Sequence, residues 1–209
     1  MVVKGLLEEL VERGVSPGRR RLFVIDGSKA LRKAIQEVYG RSNPVQRCRT
    51  HKRKNVLGYL PKGMQGQVGA ALAAAWKLEP KEGLARLRTQ IEWLERAHPQ
   101  AAASLREGLE ETFTINRLRL SPMLRKCLAT TNVIESSLSG VQGRTGRVTR
   151  WRDGRMVLRW TAAAALETEK NFRRIIGHQD LWMLKAALDE EQVQSKEAES
   201  TIDEQRLAA

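Results

Sequence analysis

Apolar residues first recur at helical spacing. Leu6, Leu7, Leu10 and Val11 share one face of residues 3–13, and Gly14 and Pro17 end that run. The period then changes. Arg21–Ile25 is a short apolar run of strand type, and residues 28–39 return to a helical stripe of Leu31, Ala34, Ile35 and Val38. Gly40, Asn43 and Pro44 supply turn chemistry ahead of a second short strand over Val45–Arg49. From Lys54 onward the spacing is helical. Gln65–Leu78 is alanine-rich and broken by Pro80; Lys81–Ala97 carries Leu84, Leu87, Ile91 and Leu94 on one stripe; Ala101–Phe113 completes a helical set after Pro99. A loop at Ser121 and Pro122, a helix bearing Glu135, a glycine-rich joint over 140–146 and a long helix over Val157–Ile175 follow. The pattern predicts an α/β protein that is mostly α, with Trp76 and Trp93 as packing residues of the middle helices.

Composition bounds what such elements can do. With 209 residues, 41% of them hydrophobic, the chain can bury one sizeable core or two small ones. The longest uncharged apolar stretches, Ala70–Trp76 and Thr161–Leu166, fall far short of the roughly 20 residues needed to cross a bilayer. Acidic Glu8 and Glu9 interrupt the short apolar start where a signal peptide would continue. Cys48 and Cys127 are too few for a disulfide framework. These features together suggest a cytoplasmic protein.

Charge narrows the choice of partner. The net charge is +13, yet the segment 189–209 holds seven acidic residues against two basic ones, which leaves +18 on residues 1–188. Arginines and lysines gather at 19–21, at 41–54 and at 144–159. Cations so concentrated suit a polyanion, because neutralising phosphates releases condensed counterions and binds nucleic acid without sequence preference. The competing reading, a merely solvated charged face, fits such an excess poorly. The polar tail beyond about Glu190 reads as disordered.

Two carboxylates stand out. Asp26 directly follows the strand Phe23-Val24-Ile25, and in α/β sheets functional groups cluster outside the carboxyl ends of strands. Asp26 or Ser28 would equally serve as a helix cap. Glu135, three residues after Asn132, fits a capping box, or leans from a first helical turn toward a strand end to hold a hard cation. For either residue alone the local role is the simpler reading. Cys48 and His51 have the spacing of half a zinc site, but no second pair accompanies them; a buried thiol beside a surface imidazole is the plain alternative.

Taken jointly, Asp26-Gly27-Ser28, Cys48-Arg49-Thr50-His51 and Thr130-Thr131-Asn132-Val133-Ile134-Glu135 resemble the catalytic core of the mutator-type family of bacterial insertion-sequence transposases. Arg150-Trp151-Arg152-Asp153-Gly154 is similar to the terminal region of one branch of that family, and the likeness covers residues 1–188. The resemblance implies a ribonuclease-H-like fold, here partial because its first strands and its first aspartate are missing. It divides the chain into an α/β segment 1–54, an inserted all-helical domain 55–120 lying within the 109-residue separation of Asp26 and Glu135, C-terminal helices 121–188 and the acidic tail 189–209.

It also implies chemistry. Three carboxylates of such enzymes hold two Mg²⁺ or Mn²⁺ ions about 4 Å apart for in-line displacement at phosphorus. Asp26 and Glu135 would be metal ligands, Cys48 and His51 an element beside the active site, and Arg144, Arg147, Arg150 and Arg152 contacts to DNA phosphates. The expected partners are transposon ends and target DNA, with full-length transposase or further copies of the chain, in the nucleoid. With no aspartate before Asp26, the chain reads as a truncated transposase that is inactive alone, or as a non-catalytic DNA-binding or regulatory fragment.

Overall fold

In the computed structural model the backbone is described for residues 2–207 and the side chains for residues 2–194. Helix α1 (Val2–Glu12) leads through a loop to strand β1 (Phe23–Ile25), helix α2 (Lys29–Tyr39) and strand β2 (Val45–Arg47). The two strands pair in parallel, with Phe23 opposite Val45 and Ile25 opposite Arg47. Parallel pairing is what a strand-helix-strand crossover produces. Leu7, Ile25, Ile35 and Tyr39 form a small core in which α1 packs on α2 beside the sheet. Both strands are shorter than the sequence pattern suggests. Residues 48 and 49 leave β2 to start α3 (Arg49–Gly58).

Helices α3, α4 (Lys62–Ala75), α5 (Pro80–Glu95) and α6 (Pro99–Arg106) make the largest core, around Val56, Leu72, Leu87, Leu94, Leu105 and Phe113. Pro80 and Pro99 occupy first-turn positions of α5 and α6, where a missing N–H costs nothing. The expected helix over Ala101–Phe113 is two pieces. Gly108, at φ +62°, ends α6 before a 3₁₀ turn over Glu110–Phe113. Trp76 is buried as expected and donates to Thr112 Oγ1 at 3.1 Å, whereas Trp93 is 46% exposed on the outer face of α5. Leu94 is fully buried in this core. Leu94→Ala is expected to lower the unfolding free energy by about 3 kcal/mol in urea titration, the usual cost of a leucine cavity.

Short helix α7 (Thr114–Arg117) joins α8 (Pro122–Leu128), α9 (Asn132–Thr145), α10 (Gly154–Glu169) and α11 (Leu181–Leu207). Four expectations are corrected here. The stretch at Ser121 and Pro122 is no loop, because Ser121 caps α8 by accepting from Leu124 N at 3.3 Å. The glycines from 140 onward are no joint. Gly140 and Gly143 lie in α9 and Gly146 caps its end, and Gly140 lets Thr168 of α10 pack against its backbone. Helix α10 starts at Gly154, capped by Asp153, and stops at Glu169 rather than reaching Ile175. The acidic segment continues as helix through residue 207 instead of lacking structure. Its start is tied down, since Glu191 pairs with Arg20 at 3.1 Å and Gln192 accepts from Arg20 N at 3.3 Å. A third core, around Ile115, Leu118 and Leu124, receives Ile175 and Leu184. Among the described residues no helix is long and apolar enough to cross a membrane.

Candidate functional site

The carboxyl ends of the two parallel strands define the site. Asp26 follows β1 there and is exposed. Its Oδ1 accepts from Ser28 N at 3.0 Å, and Ser28 caps α2 by accepting from Leu31 N at 3.2 Å. The cap reading is therefore correct for Ser28, while the other carboxylate oxygen of Asp26 has no protein partner among the described residues. Gly27 makes this turn feasible. It sits at φ +108°, and a Cβ there would collide with the guanidinium of Arg47.

Arg47 runs beneath that turn, nearly buried, with Nη2 at 3.3 Å from Glu107 Oε2. Lys52, one turn into α3, is fully buried and donates to the backbone carbonyl of Ser104 at 2.5 Å and to that of Glu107. Glu107 thus binds the end of β2 and α3 to α6. Burial, with the repulsion of Arg47, brings the Lys52 ammonium down to about 8, and Glu107 opposes this only in part. The folded chain gives up that proton more readily than the unfolded one. The unfolded state binds more protons between pH 8 and the ordinary lysine value of 10.5, and stability should rise with pH across that window. Urea titrations at pH 8 and pH 10 check this, and Lys52→Met should flatten the slope.

Cys48 links the two strand ends. Its backbone N–H donates to Ile25 O at 2.7 Å, and the next residue, Arg49, donates its N–H to Ala129 O at 2.9 Å. That second bond draws the 129–135 segment against the end of β2. The buried Cys48 Sγ then accepts from Thr131 N at 3.4 Å and lies 3.3 Å from both Thr131 Oγ1 and His51 Nδ1. Burial pushes the thiol up, but the Thr131 and His51 hydrogen bonds outweigh it and hold the thiol below its ordinary value. Thr131 also donates its hydroxyl to Glu135 Oε1, and His51 Nδ1 lies 3.6 Å from the same oxygen.

The structure therefore gathers Cys48, His51, Thr131 and Glu135 into one contiguous cluster. It is not a capping box: Thr131, not Asn132, occupies the cap position, and Glu135 reaches the Thr131 hydroxyl rather than the cap amide. The Cys48 sulfur is engaged within the chain by Thr131 and His51. The plain alternative gave His51 as a surface imidazole; it is partly buried. Asp26 lies at the same sheet end, joined to the cluster through Ile25 and Cys48, without a direct bond to Glu135 among the described residues. No group of three or more His, Cys, Asp or Glu side chains suited to a metal ion occurs among the described residues.

Arg49 fixes the frame behind the cluster. Its guanidinium donates to Thr112 O through Nε at 2.9 Å and Nη2 at 2.8 Å, and to Asn116 Oδ1 at 2.5 Å. It also lies over the rings of Trp76 and Phe113, 5.6 and 5.8 Å from their centroids. Burial, with Arg125 nearby, lowers its pKa to about 10. Sequence reasoning missed Arg49 and Thr131 as positioning residues. The position of Arg49 between Cys48 and His51, and that of Thr131 in the motif ending at Glu135, were the available hints.

Helices α9 and α10 pack together as a hairpin that carries the arginine cluster. Arg144 donates to Gly140 O at 3.0 Å and Thr168 Oγ1 at 3.2 Å, which fixes it to the hairpin itself. Arg152 lies 3.5 Å from Asp153 Oδ2, while Arg147 and Arg150 have no ion pair among the described residues.

The sequence model of a family described as "Transposase, Mutator family" matches residues 2–175. Over 143 residues the chain is 29% identical to a transposase for insertion sequence element IST2 of Acidithiobacillus ferrooxidans, covering 68% of this chain and 47% of that protein. Over 144 residues it is 30% identical to a transposase for insertion sequence element IS6120 of Mycolicibacterium smegmatis, covering 67% of this chain and 42% of that protein. The chain spans less than half the length of these relatives.

Proposed function

Since the chain belongs to the Mutator family of transposases, we propose that it supplies Asp26 and Glu135 as two of three metal-binding carboxylates of an enzyme that cleaves and rejoins DNA. The observation that carries this reading is the hydrogen-bonded path from the end of β1 through Cys48 to Thr131 and Glu135, which ties two acidic residues distant in sequence to one end of one sheet. A ribonuclease-H-like arrangement accounts for that path, with the helices around α4–α6 inserted between the two acids. The two parallel strands are the part of such a sheet that this chain holds.

The donor chemistry fits a hard divalent cation. Asp26 keeps one oxygen free and Glu135 offers an exposed carboxylate held by a threonine hydroxyl, and oxygen is what Mg²⁺ or Mn²⁺ selects. Asp26 and Glu135 are two of the three carboxylates this reading requires, and it leaves the third to a residue outside these 209 positions. When bound, the ions supply activation of water or a 3′-hydroxyl and stabilisation of the leaving oxygen. The chain's own residues do the positioning. Ser28 N–H orients Asp26, and Thr131, itself fixed by the Cys48 sulfur, orients Glu135. Arg147, Arg150 and Arg152 on the hairpin meet DNA phosphates, and Arg144 stiffens the hairpin that presents them.

The test uses the purified chain with Mg²⁺ or Mn²⁺ and a duplex bearing the element's ends. Salt-sensitive binding without metal-dependent cleavage is the expected result. Cleavage by the chain alone that disappears in Asp26→Ala would contradict the missing carboxylate. A non-catalytic regulatory fragment is the second reading, favoured by the short carboxylate set. It requires that neither Asp26 nor Glu135 matter once the missing polypeptide is supplied.

A further inference from the structure

A groove of about 680 Å³ opens between the first turns of α9, the end of α8 and the segment 171–176. That volume lies within the ~300–1,000 Å³ of clefts that hold ligand-sized groups. Its wall is built deliberately. Gly177, at φ +77°, brings its Cα against α8, where a Cβ would stand 2.7 Å from Leu124 N, and Ile175 packs on the core around Leu124. The segment between α10 and Gly177 is thereby held alongside α9 rather than splayed into solvent.

The lining is cationic and aromatic. Lys126, Arg173 and Arg174 border the groove, none of them within salt-bridge distance of a carboxylate among the described residues, and no aspartate or glutamate lines it. Phe172 is 57% exposed beside them. Asn132 and Ser136 add amide and hydroxyl groups from the turn of α9 that also bears Glu135. Unpaired cations call for an anion. An exposed ring in their midst calls for a flat apolar face, and polar side chains of both donor and acceptor type suit the edge of a base. One ligand class has all three features. A duplex hides the faces of its bases in stacking, so the ring can be used only by a base that is unpaired.

We propose that this groove binds an unpaired DNA strand, with a base stacked on Phe172 and the flanking phosphates held by Lys126, Arg173 and Arg174. The proposal rests on the reading of the chain as a DNA-binding part of a transposase, and it adds a site separate from the hairpin arginines. It places a displaced or terminal strand one helical face away from Glu135, where strand cleavage would require duplex ends to open.

The test compares a twelve-nucleotide oligothymidylate with a duplex of the same length, by fluorescence anisotropy on the intact chain at several salt concentrations. Phe172→Ala, an exposed position that leaves the cores untouched, is expected to weaken oligothymidylate binding about tenfold and duplex binding by less than about twofold. Arg173→Ala with Arg174→Ala is expected to reduce the slope of log affinity against log salt by about 1.4 for the single strand. Cys127 gives an independent readout because it lines the groove while Cys48 is fully buried. Oligothymidylate should protect Cys127 from alkylation, mapped by mass spectrometry, and the duplex should not. Unchanged single-strand affinity in Phe172→Ala, or equal protection of Cys127 by duplex, overturns the groove while leaving the carboxylate reading intact. Loss of the cleavage predicted for the reassembled enzyme, with protection of Cys127 retained, overturns the carboxylate reading instead.

Discussion

Glu135→Gln is expected to abolish metal-dependent strand cleavage, by at least ~10³-fold, in an assembly of this chain with the polypeptide that supplies the third carboxylate. The fold should not change. Glutamine keeps the oxygen that accepts the Thr131 hydroxyl, and the side chain is exposed at the start of α9. What it removes is the negative charge. A metal ion in such a site contributes several kcal/mol of charge stabilisation, and each 1.4 kcal/mol or so is tenfold in rate, so losing the ion's anchor multiplies out to orders of magnitude. Asp26→Asn is expected to do the same, because its free oxygen is the other anchor in the proposed site. Duplex binding measured by anisotropy should stay within about twofold for both variants, since the proposed phosphate contacts belong to arginines. Cleavage that survives either change, with the assembly formed, would favour the regulatory fragment.

Arg49→Ala is expected to destabilise the chain by roughly 3–4 kcal/mol in urea titration. The side chain makes three hydrogen bonds, two to Thr112 O and one to Asn116 Oδ1, between two aromatic rings. Truncation leaves those acceptors short of donors in a partly dry environment and opens a void beside Trp76 and Phe113. Asn116 keeps its bonds to Trp76 O and Leu78 O, and Thr112 O keeps Gln46, which limits the collapse. Arg49→Lys should recover less than half of the loss, because a single ammonium cannot serve the fork of Thr112 and Asn116. The effect should reach the site as well. Arg49 N–H holds Ala129, so a loosened α3 start releases the segment that carries Thr131 and Glu135.

The periodic parts of the chain were legible because their apolar stripes face a neighbour. Helices α1, α2 and α5 fall where Leu7, Ile35 and Leu87 required them. Helix α8 is not legible, because Ser121-Pro122 reads as a loop although a serine cap followed by proline in the first turn is equally a helix start. The glycines of α9 misled for the opposite reason. Gly140 serves the close approach of α10, a tertiary demand with no local signature. At the site, residue types were readable and their partners were not. Cys48 and His51 stand out by spacing, but Thr131 joins them from 80 residues away through the bond from Arg49 to Ala129. Lys52 reads as one of many surface lysines and is buried only because two carbonyls near Glu107 meet it. The run Asn171-Phe172-Arg173-Arg174 carried a usable signal, an aromatic beside two arginines, that became a groove only once Gly177 pressed it against α8.

Nuclear magnetic resonance with Mn²⁺ added to the isotopically labelled chain addresses the shared-cation claim most directly. An ion held jointly by Asp26 and Glu135 is expected to broaden the amide signals of Gly27 and Ser28 together with those of Asn132–Ser136, at the same Mn²⁺ concentration, and Glu135→Gln should restore the signals at Gly27. Broadening of one set without the other, or broadening at Gly27 that persists in Glu135→Gln, would contradict it.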